Sequence, residues 1–186
     1  MPVTTLDPKT ALVVIDLQKG IKAFAPGEAL DAVIVKAGQL TEAFHRHNLP
    51  VVLVNVIGGA PGRTDAPRMT GAFPDDFAEL LPELNQQPSD HIVTKKTWGA
   101  FTATDLEAYL KGQGVTGIVL CGVATSIGVD STARFAHEFG YNVTLASDAM
   151  TDRDPEAHTF VVERIFPRLG EVGTTADVIA ALDKRA

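Results

Sequence analysis

The sequence predicts an α/β fold with a parallel sheet, and three observations carry that expectation. Short β-branched runs alternate with longer segments of helical period, the pattern of βαβ construction. With 186 residues the chain has the length of a single domain, spanning residues 1–186, that can bury a sizeable core unaided. Its 45% hydrophobic and 21% charged residues are the proportions of an ordinary globule, so no linker or disordered tract is needed to explain the composition.

The strand-like runs are residues 11–15, 51–56, 92–93, 115–121 and 143–146. Between Glu28 and Asn48, the residues Leu30, Val33, Ile34, Ala37, Leu40 and Phe44 recur at spacings of three and four, which gives one apolar helix face to pack on the sheet. Thr104-Asp105-Leu106-Glu107 opens a second helix with a hydroxyl cap and first-turn acids, and Gly112 and Gly114 end it. A third helix begins near Ser126 and stops at Gly140. Asp154-Pro155-Glu156 starts a fourth, because proline at the first helical position gives up only an amide that has no helical partner. Thr174 or Thr175 caps a fifth, ending near Asp183. Residues 57–74 hold four glycines, three prolines and two arginines and read as a long loop after the second strand.

Charge and composition exclude several function classes. A net charge of −7, with basic residues scattered, repels a phosphate backbone, so nucleic acid is not an expected partner. No apolar run has membrane-spanning length, and residues 1–10 lack the apolar core of a signal peptide, so a cytoplasmic protein is expected. The single cysteine cannot form an intramolecular disulfide. The five histidines show no ligand spacing, and the glycines at 58, 59 and 62 fit neither a P-loop nor a dinucleotide fingerprint. Neither a metal nor another cofactor is expected.

In open α/β sheets ligands gather beyond the carboxyl ends of the strands. Three features fall there: Asp16 after the first strand, Lys95 after the third, and the turn from Gly122 to Gly128 after the fourth. Asp16 follows Leu12-Val13-Val14-Ile15, where burial raises a carboxyl pKa and a nearby ammonium lowers it; the balance sets whether it donates or accepts a proton. Lys95, if it turns inward, needs a partner, and an Asp16–Lys95 pair at adjacent strand ends satisfies both charges. Cys121 lies inside an apolar run with no histidine nearby in sequence and reads as a small core residue, a displaced nucleophile being the alternative. Arg63 and Arg68 are either contacts for an anionic substrate group or ordinary surface arginines.

Together, Ala11-Leu12-Val13-Val14-Ile15-Asp16-Leu17-Gln18, Val93-Thr94-Lys95-Lys96-Thr97-Trp98-Gly99-Ala100-Phe101 and Gly122-Val123-Ala124-Thr125-Ser126-Ile127-Gly128-Val129 make the chain resemble the isochorismatase-like hydrolases, or cysteine hydrolases, over nearly its whole length. The resemblance implies a three-layer α/β/α, Rossmann-like fold with a six-stranded, mainly parallel sheet, a cis peptide between Val123 and Ala124, and frequent homo-oligomers, dimers or larger. In the amidase-type members the aspartate at the position of Asp16 activates a cysteine, the lysine at the position of Lys95 supports the pair, and turn amides stabilise an oxyanion. Here Gly128 stands at the place of that cysteine. True isochorismatases also work without the thiol, their aspartate protonating an enolpyruvyl ether. They resemble Gly-Val-Tyr-Ala-His at the turn, where this chain reads Gly122-Val123-Ala124-Thr125-Ser126.

The reading that follows is a hydrolase of a small organic molecule, a vinyl ether, ester or amide, working without a covalent cysteine intermediate. Asp16 and Lys95 are the catalytic candidates, Asp16 as general acid or base. Gln18, Phe24, Trp98, Phe101, Ala124, Thr125 and Gly128 are expected to line the substrate pocket, with amides from Thr125 to Gly128 binding a carbonyl or carboxylate oxygen. The second reading is a non-catalytic small-molecule binding protein on the same scaffold.

Overall fold

Six strands, β1 (Thr10–Ile15), β2 (Val51–Val56), β3 (His91–Lys95), β4 (Gly117–Val123), β5 (Asn142–Thr151) and β6 (Gly170–Gly173), make one all-parallel sheet in the order β3-β2-β1-β4-β5-β6. The computed structural model describes residues 3–25, 27–66 and 72–185. Helices α1 (Lys19–Phe24), α2 (Glu28–Arg46), α3 (Leu106–Gly112), α4 (Asp130–Glu138), α5 (Pro155–Phe160) and α6 (Thr175–Asp183) join them.

The pleat sorts the core into two layers. Along β1, Leu12 and Val14 face the layer of α2 and α6, whereas Ala11, Val13 and Ile15 face the layer of α3 and α4. Because both faces are covered, the central strands are apolar throughout rather than alternating. The six apolar residues read from the period of α2 are all buried, and Leu106, Leu110, Ala133 and Ala136 fill the opposite layer. This is the three-layer α/β/α arrangement that the resemblance implies.

Departures from the expected elements have local causes. β5 runs ten residues, well past the apolar run at 143–146. Its polar middle is used by a neighbour: Ser147 Oγ donates to Gly173 O, and Asp148 Oδ1 accepts from Thr175 N and Oγ1, which ties β5 to the start of α6. β6 has no readable side-chain pattern because it must lie close to β5, where a Cβ on Gly170 would fall 2.0 Å from Val143 O. α1 is only six residues long, too short to show a period. The third expected helix opens with a wide π-type turn (Thr125–Val129) before α4, and the fourth passes from α5 into another (Val161–Ile165). Thr174 caps α6, its hydroxyl accepting from Asp177 N while the Asp177 carboxylate accepts from Thr174 N. Of residues 57–74, those described carry no helix or strand.

From β1 the chain steps outward to β2 and β3, then restarts with β4 on the other side of β1. Connections diverge between β1 and β4, leaving a crevice at their carboxyl ends. The two strands approach closely there. Ile15 pairs with Gly122, whose φ of 112° is left-handed and whose added Cβ would fall 2.1 Å from Ile15 O. No described helix is long and apolar enough to cross a membrane.

Candidate active site

Asp16 leaves the end of β1 with φ 55°, a left-handed conformation that costs a non-glycine residue about 1–3 kcal/mol and persists only where its surroundings fix it. Its N–H donates to Val54 O at 2.9 Å and its carbonyl accepts from Gln18 N at 3.0 Å, so the backbone bends sharply into the crevice. The carboxyl is buried. Oδ2 accepts from Lys95 Nζ at 2.8 Å, and Oδ1 has no hydrogen-bond partner among the described residues. Burial pushes the Asp16 pKa from 3.8 up to about 6, against the opposing pull of the Lys95 ammonium.

Lys95 ends β3 and is 2% exposed. Its three ammonium hydrogens meet three acceptors: Asp16 Oδ2 at 2.8 Å, Trp98 O at 2.8 Å and Thr97 O at 3.3 Å. The pair does not sit on adjacent strands as expected. β2 lies between them, and the length of the lysine side chain lets it pass the end of β2 to reach Asp16.

Gly128 lies in the turn after β4, facing this pair. A Cβ there would meet Ile15 Cγ2 at 2.9 Å and Asp16 Oδ2 at 3.3 Å. The peptide between Val123 and Ala124 is cis, in keeping with the resemblance. The turn is held from outside: Asp152 Oδ2 accepts from both Ser126 N and Ser126 Oγ at 2.7 Å.

Around these groups opens a cavity of about 740 Å³. Asp16, Lys95, Ala124 and Gly128 form one end, and Ile21, Phe24, Phe73, Phe77, Trp98 and Ile127 supply apolar walls. Phe77 is the hub of the aromatic side, with Phe73 at 4.2 Å and Phe24 at 6.0 Å between ring centroids. Thr151, Asp152 and Arg153 form the polar side.

Several expected site residues lie elsewhere. Gln18 is fully buried and its amide is spent on the backbone: Nε2 donates to Val56 O and Phe77 O, and Oε1 accepts from Val56 N. It shapes the cavity without lining it. Phe101 packs into the α3/α4 layer, edge-on to Phe139 at 5.3 Å, because the chain after Lys95 turns it under the sheet instead of into the crevice. Thr125 is fully buried, its hydroxyl hydrogen-bonded with His158 Nδ1 at 2.8 Å. Among the turn amides, Ser126 N is taken by Asp152, and Ile127 N donates to Ala124 O at 3.1 Å, so these two are not available to a substrate oxygen. Arg63 is exposed and does not line the cavity. Arg68 lies outside the described residues.

Other groups escaped the sequence reading. Asp152 and Arg153 follow β5 at the same sheet end as Asp16 and would have been flagged had the strand not been cut short at residue 146. Phe73 and Phe77 had no local signal, since Gln18 and the Lys19 N–H to Glu79 O bond fold their segment back over α1. Cys121 points into the α2/α6 layer, away from the crevice, and burial pushes its thiol well up from the ordinary range. Among the described residues no cluster of three or more His, Cys, Asp or Glu side chains could hold a metal.

The chain is similar to known proteins in sequence and fold. The isochorismatase domain model matches residues 10–177. The isochorismatase family protein YwoC of Bacillus subtilis (strain 168) is 43% identical over 178 residues, covering 92% of this chain and 93% of its own. Streptothricin hydrolase of Streptomyces noursei is 36% identical over 146 residues, 77% of this chain and 50% of the larger enzyme. The solved structure of an isochorismatase family protein from Burkholderia thailandensis superposes with a TM-score of 0.90 at 43% identity, covering 98% of each chain. With the domain model spanning most of its length and the fold reproduced nearly end to end, the chain belongs to the isochorismatase family and is a small-molecule hydrolase.

Proposed function

We propose that this hydrolase works by proton transfer through Asp16, without a covalent enzyme intermediate. One observation carries the reading: a buried carboxyl, ion-paired on Oδ2 and unpartnered on Oδ1, stands in a mainly apolar cavity beside a residue with no side chain. A thiol route has no support. Position 128 offers no nucleophile, and the only cysteine is fully buried and does not line the cavity.

With a pKa near 6, Asp16 carries its proton for part of the time at neutral pH, and Oδ1 is the oxygen free to hold it. On a vinyl ether, that proton goes to the terminal carbon of the double bond, and water adds to the oxocarbenium carbon so formed. The hemiketal then breaks into an alcohol and a carbonyl product, and the proton released by the water restores Asp16. Lys95 stabilises the carboxylate between the two transfers. On an ester or amide, ionised Asp16 instead takes a proton from the water that attacks the carbonyl carbon, then returns it to the alcohol or amine that leaves as the C–O or C–N bond breaks. Gly128 lets the turn pack close against Oδ2, where an added Cβ would fall 2.9 Å from Ile15 Cγ2 and 3.3 Å from Asp16 Oδ2.

A screen of vinyl ethers, esters and amides against wild type and Asp16→Asn tests the reading. For any substrate found, the variant loses about 10²–10⁴-fold in turnover while its circular dichroism spectrum stays native. Undiminished turnover in Asp16→Asn overturns the mechanism.

A further inference from the structure

The cavity brings together four charged side chains, Asp16, Lys95, Asp152 and Arg153, and three of them have duties within the protein. Lys95 has an acceptor for every ammonium hydrogen. Asp152 holds Ser126 through Oδ2 and accepts from Asp154 N through Oδ1 at 3.3 Å. Asp16 keeps one oxygen for chemistry. The Arg153 guanidinium alone has no ion pair or hydrogen bond among the described residues, although the protein carries an excess of acidic side chains.

We propose that Arg153 is a specificity-determining residue that selects a carboxylate-bearing substrate with a flat apolar body, a monoanion whose charge lies on Arg153 and whose reactive bond lies at Asp16. The planar fork of an arginine matches a carboxylate. The rings of Phe24, Phe73, Phe77 and Trp98 offer an unsaturated body area to cover, with nothing polar to satisfy along it. Among the described residues a second anionic group has no second uncommitted cation to meet in this cavity, which sets a monoanion apart from a dianion. The volume of about 740 Å³ suits a compact organic acid of this kind. The inference rests on the reading that Asp16 performs the chemistry in this cavity.

Trp98 is the only tryptophan and lines the cavity, so its fluorescence reports occupancy directly. trans-Cinnamate and cinnamamide share one flat body and differ by one charge. At pH 8 and low salt, cinnamate is expected to bind wild type about tenfold more tightly than cinnamamide, the size of one charge-assisted contact. Arg153→Gln is expected to bring the ratio to about one with cinnamamide affinity unchanged, and Arg153→Lys to keep part of it. Raising the salt narrows the gap in wild type. Equal affinities in wild type, a ratio that survives in Arg153→Gln, or no quenching by either compound at millimolar concentration overturns the proposal. Asp16→Asn separates the two readings: an active Asp16→Asn defeats the proton-transfer mechanism, whereas a missing charge preference beside an inactive Asp16→Asn defeats only the role of Arg153.

Discussion

At the scale of single residues, the behaviour of Asp16 follows from two opposed causes. Burial favours its neutral form and Lys95 its charged form, and burial wins, leaving a pKa of about 6. For an acid-catalysed vinyl ether, kcat/KM is then level below about pH 6 and falls about tenfold per unit above it. Lys95→Met removes the cation that holds the value down, so the fall moves to higher pH; a profile that stays in place argues that another group is titrating. The same shift has a sign in folding. Because the folded protein binds this proton more tightly than the unfolded chain, the stability Asp16 contributes is fully present below about pH 4 and lost as the pH rises through about 6. Sequence alone set this contest between desolvation and an ammonium. It could not settle the outcome, because Lys95 reaches Asp16 across β2 and only the strand order reveals that path.

At the scale of elements, the meeting of β1 and β4 is a tight joint. Gly122 combines a left-handed φ with backbone atoms of Ile15 where its Cβ would be, and neither strand can give way without moving Asp16. Gly122→Ala is expected to cost about 3 kcal/mol or more, read from the denaturant midpoint, and to lower activity with it. A loss below about 1 kcal/mol would show that the joint yields. The elements that were legible are those whose pattern outlasts a few residues: the period of α2, the apolar runs of β1, β2 and β4, and the Thr174 cap of α6. Those missed were written in close approaches or tertiary bonds, as with glycine-rich β6 and the polar half of β5, whose purpose lies in Gly173 and Thr175.

At the scale of the whole molecule, the sheet divides the side chains into two populations with different chemical fates. Asp16 and Lys95 reach the crevice from strand ends, while Cys121, also on a central strand, points into the α2/α6 layer and is wholly buried. A disulfide reagent is therefore expected to leave Cys121 unmodified in the native state and to react with one thiol per chain after denaturation. Rapid native-state labelling would place a reactive thiol where the core now stands. The strand-end rule located the acid, the lysine and the glycine turn from sequence, since each is bound to a strand. It said nothing about Phe73 and Phe77, which stand far from any strand and are brought in by the fold.

Gln18 joins those two territories. Its single amide binds Val56 at the end of β2 and Phe77 in the segment that closes the cavity, two residues along the chain from Asp16. Reagent and mould are thus separate castings held by one pin. The wall segments can be recut for a different molecule while Asp16 keeps its seat.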